Sequence, residues 1–242
     1  MRDICLALLE FIETNFRQIE ALIPPPQWVP WDNKFNWRYQ EKLPVQILIQ
    51  KMARQVTGLK AADVLLSEGL LQEVGVMFRV LDEIEEDISF LALGLANGKW
   101  SALHNSYAEY FWVEDDNDRQ QPVQRKRIRA FVNRVFDMPD PSSADAVGRT
   151  IHRAYSDFVH ARSGPTMGMV SGPPAQFDLN GITDRLARRS YVEQMPSYFY
   201  RATVSIVMIA KVVLSETDHA ECYSQFRLLE QRFGEVLFPD SR

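Results

Sequence analysis

The segment from Arg149 to His160 (RTIHRAYSDFVH) sorts chemistry onto two faces of one helix. At 3.6 residues per turn, Ile151, Tyr155, Phe158 and Val159 gather on one side as a core-facing stripe. Arg149, Arg153, Ser156 and His160 gather within a narrow arc on the opposite side. Arg153 and His160 stand two turns apart, so their side chains can reach one point in space. A guanidinium that stays charged beside an imidazole that titrates near neutrality can act on a phosphate without a metal. The competing reading is that both residues solvate the outside of a helix.

A second polar pair lies upstream, where Arg79 and Glu83 are four apart and point away from an apolar seam, close enough for an ion pair. If that face is open, the pair is a solvated surface feature. If another helix covers it, the pair would fix geometry at a site, and Val76, Val80 and Phe90 nearby make partial burial credible.

These residues must be held by helices, because nearly every periodic segment has the helical period. Leu70, Val74, Met77, Leu81, Ile84, Ile88, Leu91 and Leu95 repeat at spacings of four and three, which predicts a long central helix over about Leu70–Leu95. Further helices are expected over Ile4–Ala21, from Pro44 to about Val56, Lys60–Ser67, Trp100–Val113 and Gln124–Phe136. Asp140-Pro141-Ser142-Ser143 starts the helix that carries the Arg149–His160 motif, which ends by Ser163-Gly164-Pro165. A short segment over Asn180–Ser190 precedes two last helices, Val192–Leu214 and Asp218–Phe233. The fold expected is all-α, an antiparallel helical bundle forming one domain over residues 1–242.

Two stretches break the pattern. Residues 23–42 carry Trp28, Trp31, Phe35, Trp37 and Tyr39 among several prolines. A flexible linker would be poor in aromatics, so this connector is expected to wrap the body with its rings packed inward, or to be a partner surface. Residues 164–180 form a Gly/Pro-rich loop, long enough for a lid or an exposed arm, with no phosphate-cradling glycine pattern.

Hydrophobic residues make up 46% of the 242 and charged residues 24%, the balance of a globular domain, and the net charge of −5 excludes a protein that coats nucleic acid by bulk charge. A local basic face over Arg125, Lys126, Arg127, Arg129 and Arg134 can contact phosphates or balance nearby acids. The most apolar run, Tyr198–Leu214, is interrupted by Arg201 and Lys211, so no membrane span is expected and the cytoplasm is the expected location. Cys5 and Cys222 read as reduced core thiols. No histidine pairs at metal-ligand spacing, and neither a metal nor another cofactor is expected.

The spacing Arg153-x6-His160 resembles the Rx4–6H pattern of the HEPN superfamily (higher eukaryote and prokaryote nucleotide-binding domains). These all-helical proteins include many metal-independent ribonucleases and toxins. Tyr155-Ser156-Asp157-Phe158-Val159-His160, with Arg79-Val80-Leu81-Asp82-Glu83 upstream, also resembles a bacterial family of helical proteins carrying R-x-x-x-E and Y-x-x-x-S/V-H elements. Ala154 stands where the common HEPN pattern has a polar residue. The resemblance implies an RNA-directed enzyme, a toxin or defence protein. His160 would serve as general acid or base and Arg153 as phosphate clamp, while Arg149, Tyr155 and Ser156 would support them, with Arg79 and Glu83 as the upstream element. It also implies a homodimer with a site built from both chains. The alternative is a noncatalytic helical domain that binds a protein partner or a ligand.

Overall fold

The computed structural model describes residues 2–31, 34–113, 122–136 and 155–237. Helix α1 (Arg2–Glu20) comes first, followed by a two-stranded antiparallel ribbon of β1 (Gln27–Trp31) and β2 (Lys34–Arg38). Next are α2 (Pro44–Ser67), α3 (Leu71–Ala96), α4 (Ala102–Trp112) and α5 (Arg125–Val135). Residues 155–159 form a helical turn. After it come the short α6 (Ser163–Met167), the two-residue strands β3 (Val170–Ser171) and β4 (Gln176–Phe177), α7 (Arg185–Val213) and α8 (Glu216–Leu237). The fold is an all-α bundle in which α3 packs against α2, α5 and α7.

The leucine seam of α3 is core. Val74, Leu81, Ile84, Ile88 and Leu91 are buried, while Leu70, Met77 and Leu95 at its flanks are half-buried. Burial extends beyond the seam to Phe78 and Phe90, because α3 has helices on more than one side. Leu81→Ala should therefore cost about 3 kcal/mol, combining lost transfer energy with the cavity left behind. Urea unfolding followed by circular dichroism measures it, and a loss near zero would place Leu81 outside the core.

The antiparallel turn between α2 and α3 is written in local chemistry. Gly69 adopts a φ of +75°, and the Leu70 N–H reaches back to the Leu65 carbonyl at 2.9 Å, closing α2 with a left-handed cap. A side chain at Gly69 would also collide with the Ile182 carbonyl oxygen 2.4 Å away.

Two expected breaks are absent. Helix α2 runs unbroken through Gly58, which is buried, and a Cβ there would lie 3.0 Å from Leu81. The glycine brings α2 close to α3 rather than ending a helix. Likewise α7 is continuous from Arg185 through Pro196, opened by Asp184, whose carboxylate accepts from the Leu186 and Ala187 N–H groups at 3.2 Å.

The connector over residues 23–42 is the larger correction. It folds as the β1–β2 ribbon, and instead of packing inward Trp28, Phe35 and Trp37 pack on one another and stay more than half exposed. The Gly/Pro-rich loop contains α6 and the β3–β4 pair, with Phe177 and Leu179 exposed.

His104 is fully buried and joins α4 to α3. Its ring stacks on Phe90 with centroids 3.9 Å apart and 2° between planes. Nδ1 accepts from the Ser101 N–H at 3.2 Å and Nε2–H donates to the Phe90 carbonyl at 3.2 Å, which defines a neutral tautomer. Burial holds its pKa below the usual histidine range. The ring is neutral in both states above the unfolded pKa of about 6.5, and the unfolded chain takes the proton first as pH falls. Stability should thus decline below about pH 6.5, and His104→Phe should remove that part of the slope. Urea midpoints across pH 5–8 test this; parallel curves for the two proteins would contradict it.

Candidate functional site

The helical turn over residues 155–159 is locked to α3 by its aromatic side chains. The Tyr155 ring meets Phe78 edge-on with centroids 5.8 Å apart, and Phe78 in turn stacks on Tyr198 at 4.1 Å. Phe158 lies over Gly75, where an added Cβ would come within 2.6 Å of the ring. Glycine at position 75 is what lets this phenylalanine seat directly on the α3 backbone. The Tyr155 hydroxyl donates to Gln194 Oε1 at 2.5 Å, tying the segment to α7 as well, and burial raises the Tyr155 pKa.

His160 closes the same helical turn. The Arg162 N–H returns to the Asp157 carbonyl at 3.0 Å and the Ala161 N–H to the Phe158 carbonyl at 3.1 Å, with Ala161 at a φ of +46°. That paired closure is a left-handed C-terminal cap, used here without glycine. It leaves the His160 side chain exposed and stops the helix. Ser156 is half-buried, and its carbonyl accepts the His160 N–H at 3.1 Å, so the two residues are joined through the backbone. Val159 departs from the expected core stripe: it is 48% exposed. Arg149, Ile151 and Arg153 lie outside the described residues.

The upstream pair is formed and covered. Arg79 Nη2 lies 2.7 Å from Glu83 Oε1, and the covering element is α5, the basic helix. Arg125 Nη1 donates to the Glu83 carbonyl at 3.1 Å. Arg129 lies 3.2 Å from Glu86. Arg125 also pairs with the buried carboxylate of Asp87, whose other oxygen holds Lys51 Nζ at 2.7 Å. The acids therefore hold Arg125 and Arg129 of the basic segment, while Lys126, Arg127 and Arg134 remain exposed. On the α7 side of α3, Asp82 pairs with Arg201 at 2.8 Å, and Glu85 pairs with the same guanidinium. Burial pushes the carboxyl groups of Asp82 and Glu86 above the usual carboxylate range, against the pull of Arg201 on the first and of Arg129 and Arg125 on the second.

Sequence reading offered Arg125 and Arg129 as cations that balance nearby acids, as they do here, but missed Lys51 and Arg201 as partners of Asp87 and Asp82. Those two partners lie 36 and 119 positions away. The chemistry of this layer is electrostatic cross-linking of helices, worth little as net stability but costly to break by halves.

Cys5 and Cys222 are free thiols that burial pushes up to about 11, so they carry little thiolate near neutral pH. Among the described residues no group of three His, Cys, Asp or Glu side chains is placed to hold a metal ion. No described helix is long and apolar enough to cross a membrane. No protein-family model matches the chain, and neither a curated protein nor a solved structure matches it.

Proposed function

We propose that this chain is a HEPN-like, RNA-directed protein that cleaves RNA without a metal, acting in the cytoplasm as a toxin or defence effector. The observation that carries the reading is the presentation of His160. Its helix is pinned on the apolar side by Phe158 over Gly75 and by Tyr155 against Phe78, while the imidazole projects from the end of the segment into solvent. A rigid support beneath an accessible imidazole is what positioned acid–base chemistry requires.

In this mechanism the RNA 2′-hydroxyl attacks its neighbouring phosphorus, displacing the 5′-oxygen of the next nucleotide. His160 transfers the proton and Arg153 holds the phosphate oxygens as negative charge accumulates. Arg149 adds positive charge, Tyr155 keeps the turn seated and Ser156 orients the imidazole. Arg79 and Glu83 brace α3 beneath it. Cleavage of total RNA in the presence of EDTA tests the reading.

The site is completed across a homodimer, each chain contributing one arginine and one histidine. Light scattering should give a mass near twice the 28.0 kDa of one chain. A value of 28.0 kDa at high concentration would remove the composite site.

A second reading, a noncatalytic interaction domain, is favoured by one observation, the exposed ring cluster of the β1–β2 ribbon. Absence of RNA cleavage together with capture of a partner through that ribbon would favour it.

A further inference from the structure

The β1–β2 ribbon is built with one aromatic face. Cross-strand pairing sets Trp28 opposite Trp37 and Pro30 opposite Phe35, so alternation places all four on the same side. The Trp28 ring lies 5.1 Å from Trp37 and stacks on Phe35 at 6.3 Å. Exposure of these rings is 54%, 55% and 60% for Trp28, Phe35 and Trp37. A two-stranded ribbon is marginal by itself, and one that keeps three large rings in water invites a partner.

Beside this face runs a cleft of about 690 Å³ between the ribbon and α4. Val29, Trp37, Tyr39 and Trp112 line it, and Tyr39 meets Trp112 edge-on at 6.3 Å to make an aromatic corner. Arg38 and Lys42 supply positive charge at the same cleft. Lys42 holds a φ of +55°, a left-handed conformation that a residue with a side chain rarely adopts. Glu41, the adjacent acid, does not line the cleft and is engaged by Gln46 Nε2 at 2.9 Å.

We propose that this cleft binds an extended, proline-containing polypeptide segment flanked by acidic residues. Such a segment is preorganised as a polyproline II helix with no internal hydrogen bonds, so it loses little entropy on docking, and its pyrrolidine rings fit between aromatic ridges. Arg38 and Lys42 select the acidic flank by charge.

Two other occupants fit less well. With rings of about 150–250 Å² each, the three exposed faces offer roughly 250–420 Å² per copy, well under the ~800 Å² per partner of a stable interface. A single-stranded nucleic acid needs a run of cations that tracks its phosphates, whereas the cleft lining carries two, Arg38 and Lys42.

Fluorescence anisotropy with a labelled run of prolines bracketed by glutamates, titrated with the full chain, tests the proposal. Saturable binding is expected, about tenfold or more weaker for Tyr39→Ala, for Trp37→Ala, and for a probe whose prolines are replaced by glycine and serine. Lys42→Glu should weaken the acid-flanked probe and favour a lysine-flanked one, a reversal that loss of folding cannot produce. Equal binding of the glycine–serine probe, or no charge reversal in Lys42→Glu, would overturn the proposal. So would no binding at millimolar protein, displacement of the probe by oligouridylate, or a dimer abolished by Trp37→Ala.

Discussion

Asp87→Ala is expected to cost about 3–5 kcal/mol of folding stability. Asp87 is 1% exposed and holds two cations at once, Lys51 from α2 and Arg125 from α5. Removing it strips Lys51 of this carboxylate and leaves Arg125 to the more distant Glu83 and Glu86 at 3.8 Å, so two cations lose their closest counter-ion in a low-dielectric layer, the case in which a buried pair becomes expensive. Tyr107, also buried beside this carboxylate, has its pKa raised by burial and by the Asp87 charge. Urea denaturation measures the loss. Limited proteolysis should show it first in α5, whose anchorage to α3 runs through Arg125, Arg129 and the buried Ile128. A loss under about 1 kcal/mol, as for an exposed pair, would mean that the side chains of Lys51 and Arg125, 21% and 29% exposed, simply turn to water.

That network also marks the boundary of what a sequence reveals. The Arg79–Glu83 pair was legible because four residues on one helix fix the geometry locally. The Asp87–Arg125 pair was not, because it depends on where α5 docks, 38 positions along the chain. Helix existence followed from period alone, and the α3 seam came out within one residue of its expected limits, Leu71–Ala96 against Leu70–Leu95. The gap expected between Val56 and Lys60 is absent: Gly58 packs against Leu81 and α2 stays continuous despite glycine's low helix propensity. In the aromatic connector, alternation of rings with polar residues over Lys34–Arg38 was a strand signal, hidden by the prolines around it. Of the two expectations, rings packed inward or a partner surface, the first fails for Trp28, Phe35 and Trp37, because pairing them on one ribbon face lets them cover each other only in part.

At the candidate site, helical spacing placed Tyr155 and Phe158 against the bundle and His160 toward solvent, as the structure has them. Val159, expected on the same stripe, is exposed, and periodicity carries no information about the helix stop that follows it. The stop is set by a left-handed Ala161, a residue type that does not advertise the role.

Loss of RNA cleavage on replacing His160 is the result on which the functional account turns. The protein should be incubated with total RNA in EDTA, beside His160→Ala, Arg153→Ala and Arg153→Lys. Wild type should cleave. His160→Ala should be slower by about 10²–10⁴-fold, the contribution of one positioned acid–base group, and Arg153→Ala by a similar factor. Arg153→Lys keeps the charge but loses the planar fork, and its activity should fall strongly if two phosphate oxygens are held at once. Stability should change by less than about 0.5 kcal/mol in His160→Ala, since the side chain is exposed. RNA cut equally by wild type and His160→Ala, cleavage abolished by EDTA, intact RNA with wild type, or a His160→Ala protein that unfolds would each contradict the account.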